Sequence, residues 1–180
     1  KNAEKLVPKL RFPEFQDGGE WEKKQLGDIS DVRDGTHESP TFYAVGRPFI
    51  TSRNLLENGE LDLENIQYIS DVDFNNFNKR SKVDIGDILF GMIGTIGRPV
   101  LVKSSNFAFK NMAILKQKSV KNSFLIHCLH SPYITKQFAQ ESVGNTQKFI
   151  ALGKIRTIKI NLPQPDEQQK IASCLSSIDD

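Results

Sequence analysis

The sequence predicts an α+β fold: a β-rich domain with peripheral helices and an amphipathic helix at its C-terminal end. Three observations carry this. Short runs rich in branched apolar residues ("DILF", "RPVLVKS", "NMAILKQK") surround or overlap a glycine-dense stretch, "GDILFGMIGTIGRP" at 86–99. The segment "NSFLIHCLHSPYITKQFAQESV" spaces Phe124, Leu125, Cys128, Leu129, Tyr133, Ile134 and Phe138 as a helix does. Finally, Ile171, Cys174, Leu175 and Ile178 recur at i, i+3, i+4 and i+7, one apolar stripe.

In chain order, "LVPKLRFPEFQDGGEW" has two prolines and a Gly-Gly pair, so residues 1–20 read as an extended lead-in. Trp21 opens "WEKKQLGDISDVRDG", a short strand then a turn of helix, with Trp21, Leu26 and Ile29 as core candidates. "RDGTHESPTFYAVGRP" is turn-rich and reads as loop. "PFITSR" and "LDLENIQYIS" follow as strands, and "DVDFNNFN" as a helical turn begun by an acid. The long apolar helix should break or kink at Ser131-Pro132. "GNTQKFIALGK" reads as a loop, and "IRTIKINLP" alternates as a strand. Pro165 suits a helix start, with Asp166 and Glu167 at the positive end of the dipole. One domain over 1–163 and a helical segment over 164–180 are expected. The stripe stops without a C-cap glycine, as in a longer helix or one that pairs with a partner.

At 180 residues and 38% apolar, the chain can bury a real core. No apolar run nears the ~20 residues needed to span a bilayer, and the start has no signal-peptide h-region. Cys128 and Cys174 stand far apart outside any CxxC pattern and read as reduced, buried thiols of a cytoplasmic protein. Net charge is only +2, but its distribution is uneven. From Ile88 to Gln140 there is no carboxylate, against Arg98, Lys103, Lys110, Lys116, Lys118, Lys121 and Lys136. Residues 57–87 are acidic, with Glu57, Glu60, Asp62, Glu64, Asp71, Asp73, Asp84 and Asp87. Such segregation favours a polyanion partner, unless the acidic stretch folds over the basic one.

The glycines are not a phosphate loop. No pair has the G-x4-G-K-[ST] spacing, and G-x2-G-x2-G followed by "RPVLV" lacks the helix that a dinucleotide fingerprint requires. They are expected to shape a turn between strands, with Thr95 and Arg98 at its tip. No methyltransferase tetrapeptide (acidic-Pro-Pro-aromatic) is present; "NLPQPD" is not one. His127, Cys128 and His130 lack a second ligand cluster for zinc, so no metal is expected. His37 has no nucleophile suited to it nearby in sequence. "PDEQQK" falls at a helix start and reads as structural. The residues alone present no catalytic constellation.

Three stretches together resemble the type I restriction–modification specificity (S, HsdS) subunits. "KLRFPEF…GEWEKKQLGDI" is similar to the opening of their target-recognition domain, and "GDILFGMIGTIGRP" to its central strand-turn-strand signature. The exit pattern L-P-x3-E-Q-x2-I-A-x2-L-x2-[IL]-D is matched by Leu162, Pro163, Glu167, Gln168, Ile171, Ala172, Leu175, Ile178 and Asp179, where the family enters its conserved helical spacer. The resemblance implies a non-catalytic reader of one half of a bipartite site in double-stranded DNA. It implies modification subunits that methylate adenine and a restriction/motor subunit as partners. S-adenosylmethionine, ATP and Mg are expected on those partners and no cofactor on this chain. A single such domain would be a fragment or a half-subunit.

Base reading is then expected from polar loop residues, because their donors and acceptors match base edges. The candidates are Arg33, Thr36, His37, Arg53, Asn54, Thr95, Arg98, Lys110, Asn111, Asn145, Gln147 and Lys148. Arg98 and Lys148 are expected on phosphates, Asn54 and Gln147 on adenines. Ile171, Cys174, Leu175 and Ile178 are the expected subunit interface, closing a weak homodimer in the absence of a second helix. Two alternatives remain at this point: the recognition part of a fused methyltransferase or nuclease, and a protein-interaction module with a basic face.

Overall fold

The computed structural model describes residues 6–141 and 149–179. Its lead-in holds a 3-10 turn at Pro13–Phe15 and returns to the body through a bridge between Leu6 and Trp21. Strand β1 (Glu22–Gln25) and helix α1 (Leu26–Ile29) come where Trp21 and the apolar pair Leu26/Ile29 place them. Strand β2 (Ser30–Asp34) follows directly, where the sequence reading expects none. It alternates in burial, but its inward residues are Ser30 and Val32, so polar Ser30 hides the period from an apolar count.

Two sheets make the body. Strand β3 (Arg47–Ile50) pairs antiparallel with β4 (Gln67–Ile69) and parallel with the two-residue β7 (Ala108–Phe109). The larger sheet has the order β2-β8-β5-β6, all antiparallel, with β5 (Ile88–Gly91), β6 (Gly97–Leu101) and β8 (Met112–Gln117). "DILF" is a continuous apolar run because its strand is covered on both faces. Ile88 and Phe90 join the core beneath the helices, while Leu89 joins Ile50, Leu55, Val100 and Ile114 on the other side.

The helices are α2 (Asp71–Ser81), α3 (Asn122–His130), α4 (Pro132–Glu141), α5 (Leu152–Thr157) and α6 (Pro165–Asp179). Ser70 caps α2 by accepting the Asp73 amide at 3.0 Å. The break between α3 and α4 falls at Ser131-Pro132 as expected, and α4 lays Phe138 against Phe90 with ring centroids 4.4 Å apart. A second departure is α5: "LGKIRT" is helical, and only β9 (Lys159–Leu162), paired with β1, is a strand. Ile155 and Ile158 are both buried three residues apart, which a helical turn satisfies. Gly27 admits this turn closely, since a β-carbon there would lie 3.0 Å from Arg156 Cβ, and Arg156 donates to the Val32 carbonyl at 2.6 Å.

The glycines form the β5–β6 turn. A β-carbon on Gly91 would meet the Thr95 carbonyl oxygen at 2.0 Å, and Gly94 and Gly97 hold φ of 74° and 84°. Among the described residues no helix is long and apolar enough to cross a membrane.

Candidate functional site

The acidic stretch does fold partly over the basic one. Arg98 pairs with Glu57, Lys103 with Glu60 at 3.6 Å, and Lys116 with Asp84 at 2.8 Å and Asp87 at 2.7 Å. Burial alone would lower Lys116, but hydrogen bonds to both aspartates outweigh it and its pKa is raised. Three of the seven cations in the acid-free stretch are thus held internally. Lys110, Lys118, Lys121 and Lys136 have no carboxylate partner among the described residues.

A cleft of about 590 Å³ opens between a 3-10 turn at Ser52–Asn54 and the glycine turn. Its frame is built from side chains that bond inward. Thr51 caps the turn, and Asn54 caps in return, its Oδ1 accepting the Thr51 amide at 2.9 Å. Asn54 Nδ2 donates to the Asp62 and Asn65 carbonyls, each at 3.1 Å. Ser52 Oγ donates to the Ile93 carbonyl at 2.6 Å, which ties the turn to the glycine loop. Asp62 is held low by the Asn65 side chain and by the Asn65 and Glu64 amides, so its carboxylate is engaged locally. Phe49 and Ile93 give the cleft apolar surface; Arg53, Gln67, Thr95 and Asn111 give it polar groups.

Of the expected DNA-contacting residues, Arg53, Asn54, Thr95 and Asn111 line this cleft together. Thr36, His37 and Lys110 adjoin it through Asn111. The Thr36 backbone bridges Lys110 and accepts the Asn111 amide, and His37 Nδ1 shares a hydrogen bond with Asn111 Oδ1 at 3.3 Å. His37 Nε2 meets Asp34 at 3.0 Å, and Lys110 Nζ donates to Ser39 at 2.9 Å. Burial pushes the Asp34 carboxyl up, yet bonds from Arg80 and His37 prevail and its pKa is lowered. Arg33, exposed on β2, forks onto Asp31 at 2.5 and 2.9 Å.

Two of the expected residues are engaged within the molecule. Asn54 is 7% exposed and its amide is occupied on both sides, so it frames the cleft and is not free to pair with a base. Arg98 is turned onto the Leu55 carbonyl and Glu57 and lines a different hollow, with Leu129 and Phe138. Asn145, Gln147 and Lys148 lie outside the described residues. Phe149, next in sequence, bridges Ile93 on the glycine loop. Gln67 was missed from sequence because an exposed polar residue on a strand looks like an ordinary solvent face.

Along α6, Ala172 is buried and Ile171 packs into the core, while Leu175 is 39% and Ile178 73% exposed. Cys174 is half-buried. Glu167, expected as a helix-end charge, instead takes both arms of Arg11 at 2.6 and 2.7 Å, with the two side chains only 1% and 6% exposed. Burial pushes the Cys128 thiol up to about 12, so it stays neutral and unreactive. Among the described residues no group of three His, Cys, Asp or Glu side chains is placed to hold a metal.

Residues 18–180 match the family described as the type I restriction modification DNA specificity domain. Two specificity subunits of Methanocaldococcus jannaschii are similar: the putative MjaX subunit, 27% identical over 172 residues, and the MjaVIII subunit, 24% identical over 175. Each alignment covers 89% of this chain, and the chain spans about 40% of each relative's length. The crystal structure of the Mycoplasma genitalium S subunit superposes over 97% of this chain and 42% of its own, with a TM-score of 0.68 at 17% identity, which supports the fold. The signature glycine turn, the exit helix and the matched span converge, and the chain belongs to the type I restriction modification DNA specificity domain family.

Proposed function

We propose that this chain reads one half of a bipartite site in duplex DNA, as part of a type I restriction–modification specificity subunit. It directs modification and restriction subunits to that site and performs no chemistry itself; S-adenosylmethionine, ATP and Mg belong to those partners. The observation that carries this is the cleft. Its frame is rigid and internally bonded, yet Arg53, Gln67 and Thr95 present side chains with no partner among the described residues. A framed set of uncommitted donors and acceptors is what base-edge reading requires. The work is cytoplasmic, where the DNA is. The exposed end of the α6 stripe, Leu175 and Ile178, is the surface for assembly, including a weak homodimer.

Fluorescence anisotropy with a labelled duplex across a salt series tests the reading. Binding by the chain alone should be weak, with Kd of ~10⁻⁴–10⁻⁶ M at physiological salt, and should weaken steadily as salt rises. A flat salt response, or preference for an acidic protein over duplex DNA, overturns it.

A further inference from the structure

Within the cleft, one side chain differs from its neighbours in what it leaves available. Asn54 is fully occupied, Asn65 Nδ2 is held by Asp62 at 2.9 Å, and Asn111 Oδ1 is engaged by His37. Thr95 offers a hydroxyl, which is donor and acceptor alike and discriminates little among bases. Gln67 makes no side-chain hydrogen bond among the described residues, so its carbonyl and its amine are both open. It also sits on a strand, not on a loop. Its partner in register is Phe49, and its neighbour Tyr68 accepts the Tyr43 amide at 3.0 Å while Ile69 is fully buried. The Gln67 backbone is therefore fixed, and only its side chain remains to be ordered on contact. An amide held this way matches the N6 donor and N7 acceptor of adenine in the major groove.

We propose that Gln67 is a specificity-determining residue of this reader, pairing with an adenine in the half-site, while Arg53 in the same cleft pairs with a guanine. The proposal rests on the DNA-reading function above and adds to it which base positions depend on which side chain. Arg53 suits guanine because its guanidinium fork has no carboxylate partner and meets O6 and N7 together. Gln67 contributes no charge, so its effect is confined to discrimination and leaves counterion release untouched.

The test reconstitutes the full specificity subunit with its methylating subunits and maps the methylated motif on a random-sequence duplex library, alongside the salt slope of binding. With Gln67→Ala, preference for adenine at one half-site position should fall roughly 5- to 150-fold, with every other position and the salt slope unchanged. Gln67→Glu should move the preference at that same position toward cytosine, because a carboxylate accepts from C N4. A gain of that kind cannot come from partial unfolding. Arg53→Lys should relax a guanine position while keeping the slope. An unchanged motif in both Gln67 variants, with the wild type still specific, overturns this assignment and leaves the DNA-reading function standing. A wild-type complex with no motif and no salt dependence overturns both.

Discussion

Asparagine 54 and glutamine 67 carry the same amide, and their surroundings give them opposite tasks. Asn54 accepts the Thr51 amide and donates to two carbonyls inside the frame. Asn54→Ala should therefore lower stability by about 2 kcal/mol, from a lost cap and stranded buried carbonyls, and leave the recognised sequence alone. Urea denaturation of both proteins measures the loss; a fully stable variant with altered specificity would refute the assignment. The sequence presents both residues only as polar side chains beside apolar ones. Which is enclosed depends on Asp62 and Asn65 folding back over the turn, a non-local arrangement that no local pattern encodes. The pairing of Arg98 is hidden by the same cause, since Glu57 lies far from it along the chain and beside it in space.

Among the elements, those with a clean local signal were legible: the covered strand at 88–91, the break at Ser131-Pro132 and the stripe of α6. The missed ones, β2, β7 and α5, are short and owe their form to neighbours, as with Ser30 facing inward beside β8 and Arg156 lying against Gly27. The glycines of the 86–99 stretch are of two kinds, one crowded in the β5–β6 turn and one ahead of β5. Gly91→Ala forces a carbon onto the Thr95 carbonyl and should cost about 3 kcal/mol, since backbone cannot step aside as a side chain can. Gly86→Ala meets nothing within 4 Å and should cost only about 1 kcal/mol, for its φ of 89°. Thermal melts of the pair separate crowding from conformation. For α6, Leu175→Asp should convert a concentration-dependent homodimer to monomer without unfolding the domain, because the residue is partly exposed in the single chain. Sedimentation velocity decides; a wild type monomeric at high concentration removes the seam.

At the scale of the whole molecule, folding sets acid against base and uses part of the charge segregation for cohesion. Asp34, beside Arg80 and His37, and Asp84, beside Lys116 and Lys82, have pKa values below the ordinary 3.8. A carboxyl lowered on folding stabilises fully above its unfolded value, and that contribution disappears as pH falls toward the folded value. The protein should thus hold its melting temperature from pH 7 to about 5 and begin to lose it as pH falls below about 4. Asp34→Asn should flatten that loss, and an equally steep decline in the variant would place the acid sensitivity elsewhere.

The clasp between Arg11 and Glu167 joins residues 156 positions apart. The β1–β9 ladder pairs Glu22 with Leu162 and already brings these ends together, so the clasp is expected to close after that ladder has formed. The base of α6 is then seated on a body whose β1–β9 edge is already paired. A chain without the clasp should hold the first turn of the helix less firmly. Pulse-labelled hydrogen exchange should find the first turns of α6 protected after β5 and β8, and later still when Arg11 is replaced by Ala.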